Sequence, residues 1–229
     1  MNVSVVLPSF NRARLLPITI PTYFQEDVSE VILVDDCSSD NTAEVVKELQ
    51  TRFPTLRYFR NEVNSKQPYT QNVAISKVQS EYIYFGDDDS VLYPGSIRNL
   101  LNVMREKNAD IVGGRALALF FPEQIDELDE FLSHYRNRIA TEANQIVDLS
   151  TLSTNFTYTV KEPIRVPFCH ASCLCKTQVA REMQFDVKIE GNAYREETDF
   201  LIRATLAGYT IYYTSSANQI NLPSAMCSG

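Results

Sequence analysis

The sequence predicts an α/β protein in which helices cover both faces of a mostly parallel β-sheet. Short apolar runs typical of buried strands alternate along the chain with longer stretches of helical character, and this alternation favours parallel strands. Two of the apolar runs end in acidic clusters, at residues 35–36 and 87–89. Because ligands bind at the carboxyl ends of parallel strands, we expect both clusters on one rim of the sheet.

The first half of the chain alternates regularly between strand and helix signals. Ser38, Ser39 and Asp40 favour a helix N-cap and precede the second predicted helix. Pro17 and Pro21 should interrupt the first helix, because proline lacks the N–H group that a helix interior needs. The predicted strands span 3–7, 31–34, 56–59, 81–85 and 111–112, and the predicted helices span 12–25, 41–52, 69–78 and 94–107.

After residue 115 the pattern becomes irregular, but no repeat or linker separates the two halves. We therefore predict one domain over residues 1–229. The chain stops outside any predicted element, so a further C-terminal extension is an open alternative. The elements predicted here are an extended run at 116–121, an acidic helix at 123–140, irregular β-structure at 144–167, helices at 177–183 and 197–207, and a strand at 211–213.

Composition narrows the classes of function. Hydrophobic residues make up 44% of the 229 residues, which supports a sizeable core. The net charge of −8 argues against binding to nucleic acid or to an anionic membrane. Five cysteines without the spacing of small secreted domains indicate reduced thiols and a cytoplasmic location, with the inner face of the membrane as a further option. No apolar run approaches the roughly 20 residues that a membrane-spanning helix needs.

The segment from 82 to 89 carries the clearest chemical signal. Its first four residues read as a buried, aromatic-rich strand, and Asp87, Asp88 and Asp89 follow closely. Three like charges at one point repel unless a cation holds them, and carboxylate oxygens suit Mg²⁺ or Mn²⁺. The alternative is a solvated acidic turn, which aspartate also favours.

Four segments, occurring in order, resemble the motifs of family 2 glycosyltransferases, which have the GT-A fold. The segments are 3–12 (VSVVLPSFNR), 34–42 (VDDCSSDNT), 86–89 (GDDD) and 195–203 (REETDFLIR). The resemblance implies an inverting, metal-dependent enzyme that moves a sugar from a nucleotide-diphosphate donor to a hydroxyl acceptor. It also implies a nucleotide-sugar-binding half at 1–115 and an acceptor-binding half at 116–229.

The resemblance assigns roles to acidic residues in both halves. It implies that Asp89 binds the metal ion and that Asp87 holds the metal or the ribose. Glu197 matches the general base that removes the proton from the acceptor hydroxyl. Glu196 and Asp199 are the alternatives within the same acidic run. Taken alone, this run is also typical of a helix N-terminus, where acidic residues are stabilised by the helix dipole.

The resemblance also implies how the nucleotide is held. Asp36 would accept a hydrogen bond from a ring N–H of the base, with Asp35 as the neighbouring alternative, and Lys66 would face the phosphates. We expect a UDP-sugar donor, with GDP and dTDP as alternatives, and a glycan, polysaccharide or lipid-linked acceptor. The implied nucleotide-binding residues are Pro8, Ser9, Arg12, Asp35, Asp36, Lys66, Asp87 and Asp88.

The chain departs from the family pattern at three places. Gln71 stands where the family often has arginine, and Glu197 stands where aspartate is commoner. Many members carry a histidine after the last strand, where this chain has Gln219-Ile220-Asn221. These departures bear on substrate identity and on the third metal contact more than on the fold.

Two other functions compete with this interpretation. A nucleotidylyltransferase of similar architecture would need a glycine-rich basic loop after the first strand, and residues 8–12 contain no glycine. A non-catalytic sugar-binding module of the same fold would be expected to lack Asp89 or Glu197, and both are acidic here.

The segment 169–175 resembles a zinc cluster because it holds three cysteines and a histidine. Period-two alternation instead favours a strand whose small residues face the core, with His170 on the opposite face, toward the cleft. The small residues predicted on the core face are Cys169, Ala171, Cys173 and Cys175.

Overall fold

The computed structural model describes residues 3–151, 153–189 and 195–227. The strands are β1 (Val3–Ser9), β2 (Val28–Asp35), β3 (Leu56–Arg60), β4 (Tyr82–Phe85), β5 (Ser90–Leu92), β6 (Ile111–Ala118), β7 (Val147–Asp148), β8 (Ser153–Thr154), β9 (Ile164–Arg165), β10 (Cys173–Lys176) and β11 (Ile211–Asn221). The helices are α1 (Leu16–Tyr23), α2 (Thr42–Arg52), α3 (Lys66–Lys77), α4 (Ser96–Glu106), a 3₁₀ helix (Pro122–Glu127), α5 (Leu128–Ser133), α6 (Ala143–Ile146), α7 (Thr177–Met183), α8 (Glu196–Leu206) and α9 (Ser224–Cys227).

The main sheet of the described residues has the strand order β3-β2-β1-β4-β10-β6-β11-β5, with β9 pairing to β11. Strands β1, β2, β3, β4, β6 and β11 run in one direction. Strands β5, β9 and β10 run opposite to them. The predicted α/β fold with a mostly parallel sheet is therefore confirmed.

Helices cover both faces of this sheet, as the alternating pattern predicts. Successive residues of β1 point to opposite faces, so Val5 and Val6 enter different cores. The core around Val5 includes residues of α1, α2 and α4. The core around Val6 includes residues of α3, α7 and α8. Burial on both faces leaves the carboxyl-end rim of the sheet free to form a cleft.

Two of the helix predictions are wrong in detail. The acidic helix expected at 123–140 is replaced by the 3₁₀ helix, short α5 and turns, because residues 138–140 pair instead with Thr159. Helix α1 is not interrupted by its prolines. Pro17 lies in the first turn, where its missing N–H is not needed, and Pro21 lies two residues before the helix ends.

Strand β5, which follows the acidic turn 87–89, was not predicted. It consists of three residues and pairs antiparallel with β11, so its pairing depends on a segment about 130 residues away in sequence. Strand β11 is also longer than the predicted 211–213, and it extends to Asn221. The extension brings Gln219 and Asn221 next to the acidic turn. In the described part of the chain, no helix is both long and apolar enough to cross a membrane.

The cysteine-rich segment forms part of the core. Cys169, Cys173 and Cys175 are buried free thiols, as expected for core residues. The expected strand is wrong for residues 169–172, which form a loop before β10, and Ala171 is not buried. Cys169 lies so close to β6 that a Cβ on Gly113 would approach its Cβ to 2.4 Å. Glycine at 113 therefore allows this loop to approach the sheet.

We predict that Gly113→Ala lowers the free energy of unfolding by about 1–3 kcal/mol, as overpacked cores typically do. The added methyl group has no space beside the Cβ and Sγ atoms of Cys169. Adding Cys169→Gly removes both obstructing atoms, so the double variant should be less destabilised than the sum of the two single variants. Urea unfolding of the three variants measures this coupling, and additive effects would contradict it.

Candidate active site

A cleft of about 380 Å³ lies at the carboxyl ends of β1, β2 and β4. It brings together the predicted loop after β1, Asp36 and the acidic turn 87–89. Asp35 is the only predicted nucleotide-binding residue that does not line it. The lining residues are Pro8, Ser9, Phe10, Arg12, Asp36, Asn64, Lys66, Gln67, Thr70, Asp87, Asp88 and Asp89.

The backbone of the acidic turn is fixed from outside the turn. Each of its three carbonyl oxygens accepts a hydrogen bond from outside the turn, two from side chains of α1 and one from the backbone directly after β11, so the turn does not depend on its own side chains for its shape. The contacts are Tyr23 OH to Asp87 O at 2.8 Å, Thr19 Oγ1 to Asp88 O at 3.2 Å, and Leu222 N to Asp89 O at 2.8 Å.

Two carboxyl groups of this turn, those of Asp88 and Asp89, are charged only at a free-energy cost. Burial raises the pKa of Asp88 to about 7, and the charge of Asp89 adds to the shift. Burial also raises the pKa of Asp89, followed by repulsion from Asp87. Arg12 opposes both shifts, with its Nε 3.6 Å from Asp88 Oδ1. A cation in the cleft would therefore be bound more strongly than at an exposed acidic turn.

The acidic turn can bind a divalent cation only if further oxygen ligands come from elsewhere. Among the described residues, no group of three or more His, Cys, Asp or Glu side chains could hold a metal ion. Mg²⁺, however, is commonly held by one or two carboxylates together with the phosphates of a ligand. Asp87 and Asp89 supply such hard oxygens on the wall of the cleft. The residues present thus fit a cation that is shared with a phosphate ligand.

Asp36 organises the loop that forms one wall of the cleft. Its Oδ1 accepts hydrogen bonds from Asn61 Nδ2 and Ser65 N, and its Oδ2 accepts one from Lys66 N. The Lys66 side chain is exposed and borders the cleft. A carboxylate has about four acceptor positions, so Asp36 can accept one further hydrogen bond from a ligand.

Asp35 has a structural role. Its side chain is fully buried, and Oδ1 accepts a hydrogen bond from Ser38 N. Its Oδ2 accepts hydrogen bonds from Tyr58 OH at 2.7 Å and from Arg60 at 3.1 Å. These bonds tie β2 to β3 and to the turn before α2. Of the two adjacent carboxylates, Asp36 faces the cleft and Asp35 does not.

Phe10 lines the cleft and was not singled out from the sequence. Its side chain is 45% exposed, although a large apolar side chain is normally buried. The sequence signal was its place between Ser9 and Asn11, directly after the first strand. An exposed aromatic ring beside Asp36 offers a surface on which a flat base can stack.

Glu196 and Glu197 begin α8, and their carboxyl groups are joined by a hydrogen bond. Burial raises the pKa of Glu196 to about 8, and the charge and hydrogen bond of Glu197 add to the shift. Glu197 borders a second, smaller pocket. The residues lining this pocket are Thr154, Phe156, Phe168, Cys169, His170, Ala171, Arg195, Glu197 and Thr198.

His170 lines this second pocket and lies within electrostatic range of Asp87, which lines the first cleft. Burial lowers the pKa of His170, whereas the charges of Asp87 and Glu197 act in the opposite direction. Its ring contacts Phe156 edge-to-face, with 5.9 Å between the ring centroids. The side chain lines this second pocket and not the first cleft, and the pocket combines a carboxylate with aromatic rings. Such a lining suits a carbohydrate ring.

Asp199 has a structural role, unlike Glu197, which borders a pocket. Its Oδ2 lies 2.7 Å from Arg203 Nε, one turn further along α8. Arg203 also donates hydrogen bonds to the carbonyl oxygens of Met183 and Gln184. Asp199 therefore orients the arginine that joins α8 to the end of α7, and it is not among the residues that line either cavity.

Comparison with known proteins places these features in context. A family model described as glycosyl transferase family 2 matches residues 4–173. The GalNAc(5)-diNAcBac-PP-undecaprenol beta-1,3-glucosyltransferase of Campylobacter jejuni subsp. jejuni is 33% identical over 114 residues. This match covers 48% of the chain and 37% of the relative.

Two solved structures share the fold. TarS 1-349 of Staphylococcus aureus in complex with UDP-GlcNAc matches with a TM-score of 0.68 and 17% identity, over 100% of this chain and 61% of that chain. The mannosyltransferase PcManGT of Pyrobaculum calidifontis, in complex with GDP-Man and Mn²⁺, matches with a TM-score of 0.64 and 17% identity, over 96% and 56%. The chain thus spans less than two-thirds of each relative, and the expected GT-A fold is confirmed.

We predict that the free energy of unfolding falls less steeply between pH 4.5 and about 8 in Glu196→Gln than in the unchanged protein. The pKa of Glu196 is about 8 in the folded protein, against an ordinary value of 4.5. Its contribution to stability is therefore complete below pH 4.5 and is lost as the pH rises through about 8. Urea unfolding across this range measures the difference, and parallel pH profiles of the two proteins would contradict it.

Proposed function

The chain belongs to glycosyl transferase family 2, and we propose that it transfers a sugar from a nucleotide diphosphate to a hydroxyl group, with inversion of the anomeric configuration. The observation that carries this proposal is the cleft that joins Asp36 to the acidic turn 87–89. Residues that line this donor cleft lie between 8 and 89, and those of the second pocket lie between 154 and 198. This supports a donor half at 1–115 and an acceptor half at 116–229.

In this proposal the donor cleft holds a nucleotide diphosphate. Asp36 uses its remaining acceptor position for a ring N–H of the base, and Phe10 stacks on the base. Arg12 and Lys66 face the diphosphate. UDP is the proposed nucleotide because TarS is in complex with UDP-GlcNAc, and GDP is the alternative because PcManGT is in complex with GDP-Man.

Asp89, together with Asp87, would hold Mn²⁺ or Mg²⁺. The cation supplies positive charge that stabilises the diphosphate as it leaves. The PcManGT complex contains Mn²⁺, which supports the choice of metal. The raised pKa values of Asp88 and Asp89 support it further, since burial and mutual repulsion favour a bound cation.

Glu197 is the proposed general base. A protonated Glu196 donates a hydrogen bond to Glu197, which leaves Glu197 as the acceptor at the wall of the second pocket. The acceptor hydroxyl gives its proton to Glu197 as its oxygen bonds to the anomeric carbon. The bond from that carbon to the phosphate oxygen breaks at the same time, and the nucleotide diphosphate leaves. Attack from the face opposite the leaving group inverts the configuration.

The acceptor in this proposal is a sugar hydroxyl bound beside Phe156 and His170. A lipid-linked sugar is one candidate, because the Campylobacter relative is described as acting on an undecaprenol-linked glycan. The cytoplasmic location expected from the cysteines stays a prediction. The non-catalytic alternative is disfavoured, since Asp89 and Glu197 are both present at cavities.

We predict that Asp89→Ala removes the dependence of UDP binding on Mn²⁺. The loss of affinity should exceed about 100-fold, because the loss of even an outer-shell partner typically costs 10–100-fold in metal affinity. The matched control is Asp126→Ala, which removes an exposed carboxylate outside the cleft. Isothermal titration with UDP and Mn²⁺ is the measurement. Equal affinities in the Asp89 and Asp126 variants would exclude Asp89 as a metal ligand.

We predict that Glu197→Gln slows transfer by about 10²–10⁴-fold while the affinity for the donor changes little, because the proton moves only in the transition state. Asp199→Asn is the control, since Asp199 contacts Arg203 outside the cavities. Single-turnover transfer and donor titration separate the two effects. Near-normal transfer by Glu197→Gln together with an inactive Asp199→Asn would mean that the base is misassigned.

A further inference from the structure

One oxygen of Asp87 is already occupied by two buried donors. Its Oδ2 accepts hydrogen bonds from Gln219 Nε2 at 2.7 Å and from Ser172 Oγ at 2.9 Å. Gln219 Oε1 in turn accepts a hydrogen bond from Tyr84 OH at 2.9 Å. Gln219, Ser172 and Tyr84 are all less than 5% exposed. These three residues therefore form a closed network behind the acidic turn.

The chemistry of the groups fixes the direction of this network. A carboxylate only accepts hydrogen bonds, so the NH₂ group of Gln219 must face Asp87. The Gln219 carbonyl oxygen then faces Tyr84, whose hydroxyl group must donate to it. If the amide turned over, its carbonyl oxygen would face the Asp87 carboxylate, which cannot donate, and the bond to Asp87 would be lost. A buried polar group without a partner costs about 1–3 kcal/mol, which keeps the amide in this orientation.

Rigid elements hold each member of the network. Gln219 lies in β11, between β6 and β5, and Tyr84 lies in β4. Ser172 directly precedes β10. A second contact two residues along β11 reaches Ser90, the first residue after the turn, whose Oγ donates a hydrogen bond to Asn221 Oδ1 at 3.0 Å. The acidic turn is thus supported by side chains from β11 as well as through its backbone.

We propose that Gln219 and Ser172 are positioning residues that occupy Oδ2 of Asp87, so that this carboxylate offers only Oδ1 to a divalent cation in the donor cleft. The inference rests on the proposed function. Without the two donors, Asp87 would be free to rotate away from the neighbouring carboxylates of Asp88 and Asp89. The network therefore keeps Asp87 beside two other carboxyl groups and leaves its Oδ1 available to a cation.

A positioning role and a purely structural role of Gln219 and Ser172 affect different measured quantities. A structural contact between β11 and the turn would affect stability, but not the contribution of Mn²⁺ to UDP affinity. A positioning role changes that contribution at equal folded fraction. Gln25 provides a matched control, because its amide donates only to backbone carbonyl oxygens, those of Thr22, Leu92 and Tyr93.

The test compares Gln219→Leu, Ser172→Ala and Tyr84→Phe with the control Gln25→Leu. Isothermal titration measures UDP affinity with and without Mn²⁺, and thermal unfolding measures stability. We expect Gln219→Leu and Ser172→Ala to lose about 10–100-fold of the affinity for UDP in the presence of Mn²⁺. Affinity without Mn²⁺ should stay as in the unchanged protein. Tyr84→Phe should act in the same direction with a smaller effect, and Gln25→Leu should lower only stability.

Each outcome decides the question. Ser172→Ala removes a single oxygen atom and should leave the protein folded. It therefore provides the test if Gln219→Leu does not fold. Mn²⁺-dependent affinity equal to that of the unchanged protein in folded Ser172→Ala and Tyr84→Phe would overturn the positioning role and leave the proposed function intact. A lack of any Mn²⁺ effect in the unchanged protein would instead overturn the metal-dependent function, and the inference with it.

Discussion

The repulsion between three carboxyl groups at the end of β4 is the constraint on which the rest of the site depends. Asp87, Asp88 and Asp89 are partly buried, so water screens their charges poorly, and the pKa of Asp88 rises to about 7 through burial and the charge of Asp89. Hydrogen bonds to the backbone carbonyls hold the turn in place from α1 and from the end of β11. Arg12 offsets part of the negative charge from the loop after β1. A turn held this firmly keeps its carboxylates together, and a cation relieves the repulsion that remains.

The sequence predicted the fold because strand patterns and the order of motifs are local properties. It could not separate Asp35 from Asp36, since both lie at the end of β2 and only the packed structure shows that Asp35 bonds to Tyr58 and Arg60. The expected helix at 123–140 failed for a related reason, because pairing with Thr159 outweighs a local helical pattern. Gln219 could not be assigned either, as its partners lie 132 and 135 residues away.

The loop 169–172 lies beside both cavities, because it lines the second pocket and contacts Asp87 of the donor cleft. The donor cleft uses residues after β1, β2 and β4, which are conventional positions for a ligand in a parallel sheet. The second pocket uses the loop 169–172 and the start of α8. Ser172 donates to Asp87, and His170 in the same loop borders the pocket that contains Glu197. A movement of this loop would therefore affect both cavities.

The most direct test of the central claim is isothermal titration of the unaltered protein with UDP, GDP and dTDP, each with and without Mn²⁺. We expect strong nucleotide binding only with Mn²⁺, and we expect UDP to bind most tightly of the three. Tighter binding of GDP would leave the cation site supported and would show that the donor nucleotide is GDP and not UDP. Affinities that are the same with and without Mn²⁺ would contradict the claim that the carboxylates at the end of β4 form a cation site shared with a diphosphate.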